Sequence, residues 1–165
     1  MQFFLPQFEG HIAVPQIPRD FTARVAERVR TGLIAPGSRR RAEYEVESLS
    51  ADCIAFRATA LSTAIAVGLN EVVVERKAAE IFYRARYWRW TLYCVTLGAV
   101  LFVILMAGSF VWPQIAGSAD RSLLFLHAGF WGLVWPWLLT AMHKRFAARC
   151  LERILRELLQ PSPQS

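Results

Sequence analysis

The spacing of hydrophobic residues changes along this chain, and two long apolar runs dominate the pattern. They cover residues 90–112 and 122–142, and neither contains Asp, Glu, Lys or Arg. About 20 helical residues cross a hydrocarbon core of about 30 Å, and a helix satisfies its own backbone polar groups in lipid. The pattern therefore predicts a hairpin of two transmembrane helices.

Helical spacing of apolar residues continues beyond both spans. It predicts helices over 76–112 and 122–158, so that the hairpin region, 76–160, extends into a cytoplasmic stalk. The last residues, 161–165, are predicted to form a disordered tail. The apolar positions that predict the stalk are Ala78, Ile81, Phe82, Ala85, Phe146, Cys150, Leu151, Ile154, Leu155 and Leu158.

The N-terminal region begins with three prolines in its first 18 residues, which predict an extended arm over 1–18. Asp20 then stands at a predicted N-cap. A short amphipathic helix is predicted to follow it and to end within 32–37. The apolar face of this helix is predicted at Phe21, Val25, Val29 and Leu33.

Beyond this helix, apolar residues recur at every second position. Alternation over 43–47 and 54–58, around a Ser-Ala-Asp turn, predicts a β-hairpin. Further strands are predicted over 61–67 and 72–74, although the four-residue spacing within 61–75 also permits a helix. A small α+β domain over 19–75 is thus expected. So few residues bury little core, which predicts cover from the helix, the membrane surface or another subunit.

Charge predicts the orientation of the hairpin. The chain has 19 Lys and Arg against 13 Asp and Glu, and 17 of the 19 are Arg. Five basic residues lie in 76–89 and five in 144–156, whereas the loop 113–121 contains Arg121 alone. Basic residues flanking spans remain on the cytoplasmic side, so both termini are predicted to be cytoplasmic.

The basic segment 19–41 offers a surface for anionic lipid headgroups or for a partner protein. In the competing interpretation, the helix covers the small domain and its arginines are solvated. Nucleic acid is disfavoured because no stacking aromatics lie among the arginines. The candidate residues of this surface are Arg24, Arg28, Arg30, Arg39, Arg40 and Arg41.

Residues at the ends of the spans are predicted to anchor the protein at the membrane interface. Small residues within the spans, Gly98, Ala128 and Gly132, are predicted to let the two helices pack closely, and Pro136 is predicted to bend the second helix. The predicted anchors are Trp88, Arg89, Trp90, Trp112, His143, Lys144 and Arg145.

Candidate chemistry is sparse. His127 is the ionisable residue well inside a span, and a neutral histidine hydrogen-bonded across the hairpin is favoured over a haem or metal ligand. Glu43, Glu45 and Glu47 alternate as on a solvated strand face. The three cysteines lie far apart in sequence, and no phosphate loop, serine-nucleophile motif or zinc spacing is found. We therefore expect no enzyme, no metal and no cofactor.

The predicted fold class is a membrane α+β protein: a two-helix transmembrane hairpin extended into a cytoplasmic stalk, with a small N-terminal β-rich domain and one amphipathic helix. The expected function is an anchor or accessory subunit in a bacterial inner membrane, which assembles with itself or with a larger complex. The alternative is an oligomeric pore or membrane-perturbing effector. The spans lack a polar stripe that would line a channel, which favours the anchor.

Overall fold

The computed structural model describes residues 6–32, 42–66, 69–111 and 120–160, and it divides the chain into two compact units. The α+β unit comprises the residues up to Arg89 and those from Lys144 onward. The helical unit comprises Trp90–His143. Both ends of the chain therefore build the α+β unit, and the helical unit is inserted between them in sequence.

An antiparallel sheet of five strands forms the centre of the α+β unit. The strand order is β1-β5-β4-β3-β2, so that β2 to β5 form a meander and β1 pairs with β5. The strands are β1 (Gln7–Ala13), β2 (Tyr44–Leu49), β3 (Cys53–Ala58), β4 (Glu71–Lys77) and β5 (Glu80–Arg86).

Five α-helices lie in the described parts of the chain, and two of them, α3 and α5, contribute residues to both units. A π-helical turn, Phe130–Val134, stands between the last two helices. The helices are α1 (Phe21–Arg30), α2 (Leu61–Ala66), α3 (Trp88–Val111), α4 (Asp120–Gly129) and α5 (Trp135–Leu159).

One face of the sheet is buried under α1 and the second half of α5. Val25 and Val29 of α1 line a small space together with Phe56 of β3 and with Leu151 and Leu155 of α5. Alternate strand residues point into this core because successive side chains of a strand face opposite sides. The buried strand residues include Phe8, Ile12, Ile54, Phe56, Val72, Val74, Ile81, Tyr83 and Ala85.

Several predicted elements are confirmed. The hairpin of β2 and β3 has its turn at Ser50, whose backbone N–H donates to the Cys53 carbonyl at 2.8 Å. Helix α1 begins directly after Asp20 and is followed by Gly32, whose φ of 70° is one that glycine readily adopts. The Asp20 carboxylate accepts a hydrogen bond from Arg24 instead of capping the helix backbone.

Two predicted elements are wrong. Residues 61–66 form helix α2 instead of a strand, and the strand after it begins at Glu71. The helix predicted from residue 76 begins only at Trp88, because the end of β4 and strand β5 occupy 76–86, and β5 pairs with both β1 and β4. The apolar residues of β5 fit both the two-residue spacing of a strand and the four-residue spacing of a helix. Hydrogen bonding to β1, which lies far away in sequence, favours the strand.

The end of α5 has a different role from the predicted stalk. Ala147, Leu151, Ile154 and Leu155 are buried in the α+β unit, each at most 4% exposed. This helix supplies part of the cover that the small domain was predicted to need. The helix-covered face of the sheet is thus completed from within the chain.

The helical unit contains the two predicted spans. Among the residues that the structure describes, one helix, Trp88–Gly108, is long and apolar enough to cross a membrane. The second run, 122–142, is divided among α4, the π-helical turn and α5, whose C-terminal half is charged. The two-helix transmembrane hairpin is therefore not confirmed, whereas the α+β class with its N-terminal sheet is.

Candidate functional site

The helical unit contains a close helix crossing at Gly98 and Gly132. A Cβ atom built on Gly98 would lie 2.7 Å from the Gly132 carbonyl oxygen and would overlap the ring of Pro136. A Cβ atom on Gly132 would lie 2.6 Å from the Cβ of Phe102. Because real Cβ atoms do not approach other atoms so closely, the crossing requires glycine at both positions.

Pro136 explains the backbone geometry at this crossing. A proline has no N–H, so the Gly132 carbonyl loses the donor that a regular helix would supply. The chain responds with the π-helical turn, in which the Trp135 N–H donates to the Phe130 carbonyl. The Gly132 carbonyl lies against Gly98, where the two backbones meet. Thr140 then donates its hydroxyl to the Pro136 carbonyl at 2.9 Å.

Large apolar side chains cover the outer surface of the helical unit. Such contiguous exposure is rare in proteins surrounded by water. The side chains that are more than half exposed include Leu92, Leu97, Val103, Ile104, Leu123, Phe125, Leu126 and Leu133. This surface is suited to an apolar environment.

The predicted intramembrane residues differ in their surroundings. Ala128 is fully buried, as a packing position should be. His127 is exposed, and its Nδ1–H donates to the Leu123 carbonyl of its own helix at 2.9 Å. The histidine is therefore hydrogen-bonded along its own helix, and the described residues of α3 provide no hydrogen bond to it across the hairpin, where the sequence predicted one.

The predicted interface anchors fall into two groups. In the helical unit, the Trp90 and His143 rings stack with centroids 4.4 Å apart. In the α+β unit, the Arg89 guanidinium lies over the Trp88 ring, 5.4 Å from its centroid. Lys144 is half-buried and Arg145 is exposed. Trp112 lies outside the described residues.

Asn70 joins the sheet to the beginning of α3, a role that sequence reasoning missed. Its side-chain oxygen accepts the Arg89 N–H at 2.7 Å, and its side-chain N–H donates to the Ala64 carbonyl. The Arg89 guanidinium in turn donates to the Ala58 carbonyl at 3.1 Å. A polar residue that is 2% exposed in the loop before β4 thus fixes the first turn of the apolar helix. The only sequence signal for this role of Asn70 was the turn-forming composition of residues 68–71.

The arginines of α1 are largely neutralised. Arg24 pairs with Asp20 at 2.7 Å and holds the pKa of that carboxyl below its ordinary value. Arg28 lies 3.8 Å from Glu157 of α5. Arg30 is exposed, and Arg39, Arg40 and Arg41 lie outside the described residues. Of the three predicted arginines that the structure describes, Arg24 and Arg28 are therefore engaged in ion pairs.

The uncovered face of the sheet is lined with ion pairs between neighbouring strands. Arg57 pairs with both Glu45 and Glu47, at 3.3 and 3.2 Å. Arg84 pairs with Glu9, and Arg86 with Glu71, at 2.8 and 3.0 Å. Glu45 and Glu47 of β2 thus lie on the solvated face of the sheet and share Arg57 as their partner. In the described ranges no group of three His, Cys, Asp or Glu side chains is arranged to hold a metal ion.

Partial burial raises the pKa of two groups in the α+β unit. Burial raises the pKa of Tyr44, whose hydroxyl has no hydrogen-bond partner within the described parts of the chain. Burial also raises the pKa of the Cys150 thiol. Since the thiolate is the reactive form of cysteine, this environment opposes nucleophilic chemistry at Cys150.

Comparison of the chain with family models, with curated proteins and with solved structures finds no match. The features that bear on function are the glycine crossing and the apolar exterior of the helical unit, and the ion pairs of the α+β unit.

Proposed function

We propose that this chain is an integral membrane protein of a bacterial inner membrane that acts as an anchor or accessory subunit. Its helical unit, through 90–112 and 122–142, would cross the bilayer twice. Its α+β unit would lie in the cytoplasm and provide a surface for assembly with a second copy or a larger complex. The apolar exterior of the helical unit is the observation on which this proposal depends.

The free energy of solvation supports the membrane location. Removing a Leu, Val, Ile or Phe side chain from water contributes about 1.5–3 kcal/mol. The exposed apolar side chains of the helical unit gain this energy when lipid covers them. A core helix of a water-soluble protein would instead be covered by its own chain, whereas only 11% of the most apolar window of α3 is buried.

The length of α3 fits one crossing of the bilayer, and the charges that flank the two apolar runs favour a second crossing. Helix α3 has 24 residues, which corresponds to about 36 Å at about 1.5 Å per residue. The basic residues on both flanks, against one arginine in the loop 113–121, favour cytoplasmic ends.

The α+β unit supports a role in assembly instead of catalysis. On its uncovered sheet face, Arg57, Arg84 and Arg86 are each paired with glutamates. Such a face offers many hydrogen-bonding groups to a protein partner at little desolvation cost for unpaired charge.

Flux measurements distinguish the anchor from a pore. We expect purified protein in liposomes to give no ion flux above protein-free liposomes, because the scattered Thr and Ser of the spans form no polar stripe. Thr140 is already bonded to its own helix. In mild detergent, we expect a particle heavier than one chain plus its micelle by light scattering. Flux proportional to the amount of protein, or a strictly monomeric particle, would contradict the proposal.

A further inference from the structure

Three arginines on one side of α5 lack carboxylate partners. Arg145, Arg149 and Arg153 follow one another at four-residue spacing and are exposed. No Asp or Glu of the described ranges lies within ion-pair distance of them. Six other arginines of the α+β unit are paired with carboxylates: Arg24, Arg28, Arg57, Arg84, Arg86 and Arg156. Arg19 and Arg30 are also exposed without a carboxylate pair in the described ranges, but they are eleven residues apart and form no row with the three on α5. We call these three unpaired residues the α5 stripe.

The α5 stripe is held on a fixed helix. The opposite side of the same helix is buried at Ala147, Leu151 and Leu155. Residues four apart lie about 6 Å apart along a helix axis, so the three guanidinium groups form a row. A guanidinium group forms paired hydrogen bonds with phosphate oxygens, and pre-organisation reduces the entropy lost on binding.

An exposed aromatic side chain lies beside the α5 stripe. Phe146 is 65% exposed and is next to Arg145 in sequence. The last part of the apolar run, 135–142, lies on α5 itself and ends three residues before Arg145. An apolar surface followed by cations is typical of segments that lie at the level of lipid headgroups.

We propose that the α5 stripe binds the phosphate groups of anionic phospholipids. This inference rests on the proposed membrane location and names the residues that contact the charged headgroups. The lipid contact is thereby assigned to α5 instead of the basic segment 19–41. Nucleic acid has the same phosphate chemistry, but the position of the stripe directly after the apolar run favours lipid.

Native mass spectrometry of the full chain in detergent tests this inference. The probe is an equimolar mixture of phosphatidylglycerol and phosphatidylcholine. We expect wild-type protein to retain phosphatidylglycerol preferentially. We expect the triple variant R145Q/R149Q/R153Q to lower this preference at least about tenfold, because each Arg near a lipid surface contributes about 1 kcal/mol, or about fivefold in affinity. Salt should weaken the wild-type preference.

A matched variant distinguishes the effect of the α5 stripe from the effect of lowering the total positive charge of the protein. R57Q/R84Q/R86Q removes the same charge from the ion-paired sheet face and should leave the preference within about twofold of wild type. Equal losses in both variants would overturn the inference, as would stripe-dependent binding of single-stranded DNA with unchanged lipid preference. Alkaline extraction of membranes from the cells that express each variant separates the two proposals. Retention of the chain with an unchanged lipid preference in R145Q/R149Q/R153Q refutes the inference alone, and release of wild-type protein refutes both.

Discussion

Replacing Leu155 by Asp is expected to unfold the α+β unit. Leu155 is 1% exposed and lies among Val25, Val29 and Phe56, beneath the sheet. The change removes a buried leucine, which costs about 2–5 kcal/mol, and introduces a carboxylate without a partner, which adds to that cost. Since a domain of this kind is stable by about 5–15 kcal/mol, the loss is a large fraction of the whole.

Hydrogen exchange of the strand amides measures this effect in the full chain. We expect L155D to lose protection in β3 and β4 by at least about a hundredfold. The matched variant R153D introduces the same charge at an exposed position of the same helix and should retain wild-type protection. Protected strands in L155D would show that α5 does not complete the core of this unit.

The second large effect is expected at the glycine crossing. G98A and G132A each place a Cβ where another atom already lies: the Gly132 carbonyl and the Pro136 ring in one case, and the Phe102 side chain in the other. Overpacking of this kind costs about 1–3 kcal/mol. We expect both variants to unfold at lower SDS concentration, followed by tryptophan fluorescence in detergent.

Two other glycines of the same unit provide matched controls. A Cβ built on Gly108 or Gly129 meets no atom within 4 Å. Because alanine favours a helix over glycine by about 1 kcal/mol, G108A and G129A should be as stable as wild type or more stable. If all four variants behave alike, the close crossing does not stabilise the helical unit.

The sequence predicted local elements where one period was clear. Alternation gave the β2–β3 hairpin, and four-residue spacing gave α1. The prediction failed where the apolar residues fit both the spacing of a strand and the spacing of a helix. In β5, Ile81, Tyr83 and Ala85 alternate, but Ile81 and Ala85 also lie one helical turn apart. The choice depends on pairing with β1, about 70 residues earlier in sequence, which no local pattern contains.

For the candidate site residues too, the sequence predicted local features but not contacts between distant segments. Gly98 and Gly132 were predicted because small residues allow close packing, and the structure brings them together. The proline-driven π-helical turn at the crossing was predicted only as a bend. Arg28 was predicted as a free cation because its partner, Glu157, lies at the other end of the chain. Contacts between distant segments decide which charges remain unpaired, and so the α5 stripe was not distinguished from the other arginines.

Labelling of single cysteines tests the central claim, a hairpin that crosses the membrane twice with both ends in the cytoplasm. In a background with Cys53, Cys94 and Cys150 replaced, one cysteine is placed at Ser118, between the two apolar runs, or at Ser48 of β2. With a membrane-impermeant maleimide on intact cells, we expect S118C to react and S48C to react only after the cells are permeabilised. Reaction at S48C in intact cells, or protection of S118C, would contradict the account.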